Sequence, residues 1–441
     1  MKRWISLLLA LTMLCLCGCG INNHDSGKPT EPVQTAAPTP TTQPDMQIVE
    51  LTLRIAGDGI WADNQAVDAL LTEFNAYYPN IVIHVEHGDL LVLDGENPDI
   101  VLANIDQFAQ GDAALLSMED LSDLWSTGLH EDVYEPVETV CAHPQGGFYA
   151  VPLALNPYCM AVSQKAFEDA EALTLLNTAN HTWNTASFLK AVQAVYDYGT
   201  DTVGSIYCKD MREDELVRLL VTNLYDGSFV DKKTGAYNVA QGEMGKALTA
   251  LAQQAGIRFD AGLDAAGARE AFLNGKTAVL LNWSAADHMA SSNEDILFMH
   301  YPSADSRPET WAEVYGFGIF KGSDLTKVAA SRTFVAFMMN NTDAVRATGL
   351  LAARDSLKDA YEGTALEQTA GELNKLLTYL TEEEPEGQYW DTARKEWVQL
   401  LQAIASSGEN WQEALDNAQK NLNSLFPELF PPETDPTEPT E

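Results

Sequence analysis

The chain has 441 residues, 46% of them hydrophobic, with 26 Lys and Arg against 64 Asp and Glu, a formal net charge of −38. That acidity excludes a nucleic-acid-binding surface, which must be basic to meet phosphates. It equally excludes a polybasic grip on anionic lipid, while favouring solubility and tolerating neutral or cationic ligands.

Lys2 and Arg3 precede an apolar run over 4–16, which ends in Leu16-Cys17-Gly18-Cys19. The run is shorter than the roughly 20 residues that cross a bilayer and closes on small residues, so it reads as a secretory leader over 1–18. Small residues before a cysteine resemble the lipobox of bacterial lipoproteins. That resemblance implies cleavage before Cys19, a diacylglycerol on its sulfur, and a chain held on the extracytoplasmic face of the cell membrane. Cys17 departs from it, standing where Ser or Ala is commoner. An ordinary signal peptide cut elsewhere is the alternative, and it too places the mature chain outside the cytoplasm.

Residues 19–47 read as a tether. Pro29, Pro32, Pro38, Pro40 and Pro44 stand among Thr, Ala and Gln with little apolar mass, a composition that stays extended. The acidic, proline-bearing stretch 431–441 reads as a disordered tail. Between them lie roughly 385 residues, enough for two ordinary domains. Outside the leader and Cys19, three cysteines remain, Cys141, Cys159 and Cys208. They read either as one bridge plus a free thiol or as three buried thiols.

The folded part begins near residue 48. Leu51, Leu53 and Ile55 alternate with polar neighbours as in a half-buried strand. Val67, Leu70, Leu71 and Phe74 fall at helical spacing, predicting a helix over 64–77 that Pro79 terminates. Strands follow at 81–85 and 99–103, completing a βαβ unit of a mostly parallel sheet. Residues 149–162 read as a long extended segment broken at Pro152 and Pro157. Helices are expected over 187–198 and around Leu216 to Leu224, and a hairpin over 229–239 turning at Lys233-Thr234-Gly235. Next come a short helix at 268–273, strands at 277–281 and 315–320, a Ser323-initiated helix through 339, and late helices around Trp397 and Trp411.

Several runs, in this order, resemble the extracellular solute-binding lipoproteins of bacterial ABC importers, specifically their sugar-binding cluster. They are the run from Leu70 to Ile81; Pro98-Asp99-Ile100-Val101-Leu102 with Asp106-Gln107-Phe108-Ala109; Tyr149-Ala150-Val151-Pro152 with Asn156-Pro157-Tyr158; Thr182-Trp183-Asn184; Ala271 to Ala278; and Gly316-Phe317-Gly318-Ile319. The resemblance covers about 51–426. It implies an α/β, two-lobed periplasmic-binding-protein-like fold of type II, with a hinge and a central ligand cleft that closes on its ligand. Lobe one would hold 48–155 and 302–345, and lobe two 158–298 and 346–427.

The implied function is capture of a small polar solute, a mono- or oligosaccharide, for delivery to an ABC permease, by a monomer without chemistry or cofactor. A ligand-sensing receptor for a two-component system, or a receptor for a non-sugar solute, is the alternative reading. Sugar receptors use aromatic plates against apolar faces and polar side chains for hydroxyls. The expected ligand-binding residues are therefore Trp61, Trp283 and Trp390 as plates, with Asp106, Gln107, Asn156 and Tyr158 as polar partners. Asp63 reads equally as a helix N-cap or a hydroxyl acceptor. Trp183, Trp311, Trp397 and Trp411 read as core or helix-start residues. The plain Pro152-Leu153-Ala154-Leu155 departs from the polar version common in sugar receptors. Asn274-Gly275-Lys276-Thr277 lacks the opening glycine of a phosphate loop, and no Gly-x-Ser-x-Gly elbow or His-x-x-x-His pair occurs. Carboxylate pairs abound, but no spacing marks a glycosidase dyad, and no metal site is indicated.

Overall fold

The computed structural model describes residues 47–429 except 58, 89, 91–96, 110–116, 211, 212, 232, 323, 384–388 and 428. The leader, Cys19, the tether up to residue 46 and the tail 431–441 lie outside the described residues.

Alternation of apolar residues places β1 at Val49–Ile55, where Leu51, Leu53 and Ile55 are buried. Helix α1 spans Asn64–Tyr77 and buries Val67, Leu70 and Phe74. Asp63 is its N-cap, accepting from the backbone N–H groups of Gln65 and Ala66, which resolves its two readings. Strands β2 (Ile81–His87) and β3 (Ile100–Asn104) both run parallel to β1.

Strand β4, Val151–Ser163, is one uninterrupted strand of 13 residues, not the segment broken at two prolines that the sequence predicts. A register shift between Pro152 and Ala154 absorbs the first proline. There Gly316 lies so close that an added Cβ would sit 2.4 Å from the Val151 carbonyl oxygen, so only glycine fits. Beyond it, β4 changes partners. Residues up to Pro157 pair with β9 (Ala312–Ile319), while Tyr158 to Ser163 pair with β7 (Val279–Ser284) and β8 (Ile296–Met299). Strand order is β2-β1-β3-β9-β4-β7-β5-β6, with β5 at Gly204–Tyr207 and β6 at Ile257–Asp260. The β2-β1-β3-β9 half forms lobe one and the β7-β5-β6 half lobe two, with β4 running through both.

Helix α2 (Glu135–Cys141) packs on lobe one, and α3 (Thr185–Tyr198) and α4 (Glu215–Tyr225) on lobe two. The predicted hairpin at 229–239 is present: the Val230–Tyr237 bridge closes over a turn held by Asp231. Helix α5 (Leu325–Met338) is capped by Asp324, whose carboxylate accepts from two amide N–H groups; Ser323, the expected start, lies outside the described residues. The late helices are α6, Trp390–Ser407, and α7, Trp411–Leu425.

Hydrogen bonds shift the expected lobe boundaries. Residues 302–310, expected in lobe one, bond to lobe two: Ser303 to Trp183 and Thr185, and Glu309 to Asn223. Residues 346–357, expected in lobe two, bond to lobe one. Strand β10 (Leu351–Ala352) pairs with Ala154 and Leu155 of β4, and Arg354 binds Asp132. Neither segment carries a long apolar periodicity, so only tertiary contacts assign it. Cys141, Cys159 and Cys208 are buried free thiols. Among the described residues, no helix is long and apolar enough to cross a membrane.

Candidate functional site

A concavity of about 520 Å³ opens where the strands pass between lobes. On the lobe-one side, the carboxyl end of β3 and the turn after it present Asn104, Asp106 and Gln107, and α2 presents Pro136, Val137 and Val140. Carboxyl ends of α/β strands are where such crevices form, because the chain must leave the sheet there. Tyr158 comes from the β4 crossing. Trp311 and Glu313 come from the second crossing, held against the first by the Tyr158 N–H to Trp311 carbonyl bond of 2.9 Å. Glu215, at the start of α4, and Glu382 and Glu383, just past the segment 379–381 that bonds to Thr310, close the far side. The Thr139 hydroxyl of α2 donates to Glu382 Oε1 at 2.7 Å, tying the two rims.

Behind this wall lies a buried charge network. Arg218 is 1% exposed; its Nε is 3.0 Å from Asp214 and its Nη2 3.5 Å from Glu383. Its guanidinium carbon stands 4.6 Å from the Trp390 ring centroid and 5.6 Å from that of Trp311. Arg394 binds both Asp214 and Glu215. Burial pushes the Glu215 carboxyl above its ordinary value, outweighing the pull of Arg394 and Arg218. Burial, with the Glu313 charge adding to it, pushes the Tyr158 phenol far up, so it stays protonated, with its hydroxyl hydrogen-bonded to Glu313.

The structure thus brings Asp106, Gln107 and Tyr158 together and leaves the other expected residues off the cleft wall. Trp61 is a core residue, fully buried, edge-on to Phe317, its indole N–H donating to the Ala344 carbonyl at 3.0 Å. Its φ of +48 turns the ring inward from a loop that the sequence reads as open. Trp283 is buried in β7 opposite Cys159, with the Arg269 guanidinium 5.1 Å from its centroid. Trp390 is buried beneath the wall, against Arg218 and Phe229. Asn156 is one step behind it: Nδ2 donates to Glu313 and Oδ1 accepts from the Ala286 amide. Trp311, read from sequence as core, is only 4% exposed yet lines the cleft, with its indole N–H unpartnered. The sequence signal for it was its place between Glu309 and Glu313, four residues before the strand expected at 315–320. Among the described residues, no group of three or more His, Cys, Asp or Glu is arranged to hold a metal ion.

Two α/β lobes joined by crossing strands around a polar, aromatic-walled cleft define a two-lobed binding protein of the periplasmic-binding-protein type. The profile of the bacterial extracellular solute-binding protein family matches residues 59–345, and the chain belongs to that family. No curated protein matches it in sequence. Among solved structures it is similar to the sugar-binding protein MalE from Xanthomonas citri, with a TM-score of 0.65 and 15% identity over 88% of this chain and 100% of that one. It is also similar to the cyclic α-maltosyl-1,6-maltose binding protein from Arthrobacter globiformis, with a TM-score of 0.64 and 18% identity over 86% and 99% of the two chains. A third is the GacH receptor of Streptomyces glaucescens, described unliganded and with acarbose, at 0.62 and 14% over 86% and 99%. At such identities the likeness is one of fold.

Proposed function

We propose that this protein captures a saccharide between its lobes and delivers it to an ABC permease, working as a monomer held to the cell membrane through lipid on Cys19. The observation that carries this reading is the cleft itself. It combines an aromatic ring, Trp311, a protonated phenol, Tyr158, two amides, Asn104 and Gln107, and carboxylates, at the crossing of a two-lobed fold. A volume of about 520 Å³ is in the range of small-molecule sites. The saccharide ligands named for the structural neighbours support the same class. Binding needs no bond to form or break, so the carboxylates act as hydrogen-bond acceptors and the protein as a receptor, not a catalyst.

A thermal-shift screen of the full-length chain tests the reading. Sugars, amino acids, peptides and polyamines are added one at a time; a ligand that binds only the folded state raises the melting temperature by mass action. A rise with saccharides supports the proposal. A rise confined to amino acids, peptides or polyamines sinks it.

A further inference from the structure

The charge of the cleft is out of keeping with a neutral sugar. Asp106, Glu215, Glu313, Glu382 and Glu383 line it, and among the described residues no Lys or Arg does. Among the described residues, the cations that pair with this wall, Arg218 and Arg394, lie behind it and are already shared with buried Asp214 as well as with Glu383 and Glu215. Among the described residues, six carboxylates therefore face two guanidinium groups. Asp106 comes from lobe one and Glu215 from lobe two, so lobe closure brings like charges towards each other while it expels water, and repulsion grows as the local dielectric falls. A neutral ligand offsets none of that; a cation does.

The remaining polar groups narrow the ligand further. The Trp311 indole N–H is buried with no partner in the protein, and the Asn104 and Gln107 amides offer further donors. Donors call for ligand oxygens, which a linear polyamine lacks. We infer that the cleft is built for an amine-bearing saccharide, its ammonium group held among Asp106, Glu215, Glu313 and Glu382 and its hydroxyls meeting Trp311, Asn104 and Gln107. This rests on the saccharide reading above and names its substrate class.

The test is calorimetric titration of the full-length chain with matched pairs: glucosamine and glucose, chitobiose (the unacetylated glucosamine dimer) and cellobiose, 4-trehalosamine and trehalose. Spermidine is included, at mildly acidic pH and at two salt concentrations. Each pair differs only by ammonium for hydroxyl, at one position in the glucosamine and trehalosamine pairs and at two in the chitobiose pair. The expected result is that at least one amino sugar binds about tenfold or more tighter than its neutral partner, and that added salt erodes the preference. Asp106→Asn with Glu215→Gln, near-isosteric changes that remove charge, should reduce the preference to near unity while leaving the circular dichroism unchanged. Should that variant fail to fold, the wild-type pairs and their salt dependence still decide. Neutral sugars binding as well as amino sugars would overturn the inference and leave the saccharide reading standing. Spermidine binding without any sugar would overturn both, and no binding by any amino sugar would overturn the inference.

Discussion

Asn156 and Glu313 join the two strands that cross between the lobes: the Asn156 amide donates to the Glu313 carboxylate at 2.8 Å, across the β4–β9 pair where the two residues face each other. The same Asn156 accepts the Ala286 amide of lobe two at 3.0 Å. One buried side chain thus fixes a cleft carboxylate and anchors the first helical turn of the facing lobe. Asn156→Ala leaves the Ala286 N–H unpaired and takes from Glu313 Oε2 its shorter donor, with the Tyr315 hydroxyl at 3.4 Å remaining. The expected cost is about 1–3 kcal/mol of stability, read by urea denaturation, together with weaker solute binding because Glu313 loses its fixed orientation. A variant as stable as the parent would show that solvent replaces Asn156 without loss.

Trp61 and Trp311 should separate stability from binding. Trp61→Phe keeps a ring against Phe317 but removes the indole donor to the Ala344 carbonyl, so stability should fall by about 0.5–1.5 kcal/mol with solute affinity unchanged. Trp311→Phe removes a donor that has no partner within the protein, so the fold should tolerate it. Solute affinity should instead fall roughly 2- to 10-fold, the worth of one net hydrogen bond. Paired melts and titrations of the two variants check both halves, and an affinity loss in Trp61→Phe would contradict its placement in the core.

Arg218 holds the floor of the cleft. With 1% exposure and contacts to Asp214, Glu383, Trp311 and Trp390, it is a buried charge whose removal leaves Asp214, itself 2% exposed, with Arg394 alone. Arg218→Met should cost about 3 kcal/mol, at the low end for breaking a buried pair because Arg394 remains. It should also quench or shift tryptophan fluorescence as Trp311 and Trp390 repack. Equilibrium denaturation followed by fluorescence measures both at once; an unchanged midpoint would mean that the aromatic packing alone sustains this floor.

Local elements were legible where one physical rule governs. Val67, Leu70 and Phe74 at helical spacing, with Asp63 before and Pro79 after, define α1, and the structure has those bounds. The proline rule misled at Pro152 and Pro157. The bulge and the bare Cα of Gly316, a partner far along the chain, let β4 continue. Tryptophan roles were the least legible, because a ring in a loop can turn either way. Trp61 adopts a left-handed backbone and turns inward, while Trp311 is carried to the cleft by the strand crossing beside it. Apart from Asp106, the acidic lining was invisible for the same reason: Glu215, Glu313 and Glu382 are each unremarkable in so acidic a chain, and only the fold collects them.

Lobe two should lose stability in mild acid through His300. Its ring is buried beside Tyr379, with Nδ1 3.0 Å from the Thr310 hydroxyl, next to the crossing that leads to Trp311. Burial, with the nearby His181 adding to it, depresses its pKa from 6.5 to about 3. The unfolded chain therefore takes up this proton as pH falls through the ordinary histidine range, while the folded chain refuses it until near pH 3. Stability contributed by the neutral ring is present above the unfolded value and is lost progressively between the two. His300→Asn keeps a hydrogen-bonding group near Nδ1 but cannot titrate. Denaturation midpoints measured across that pH interval should fall less steeply for the variant than for the parent. Equal slopes would place the acid sensitivity in other groups.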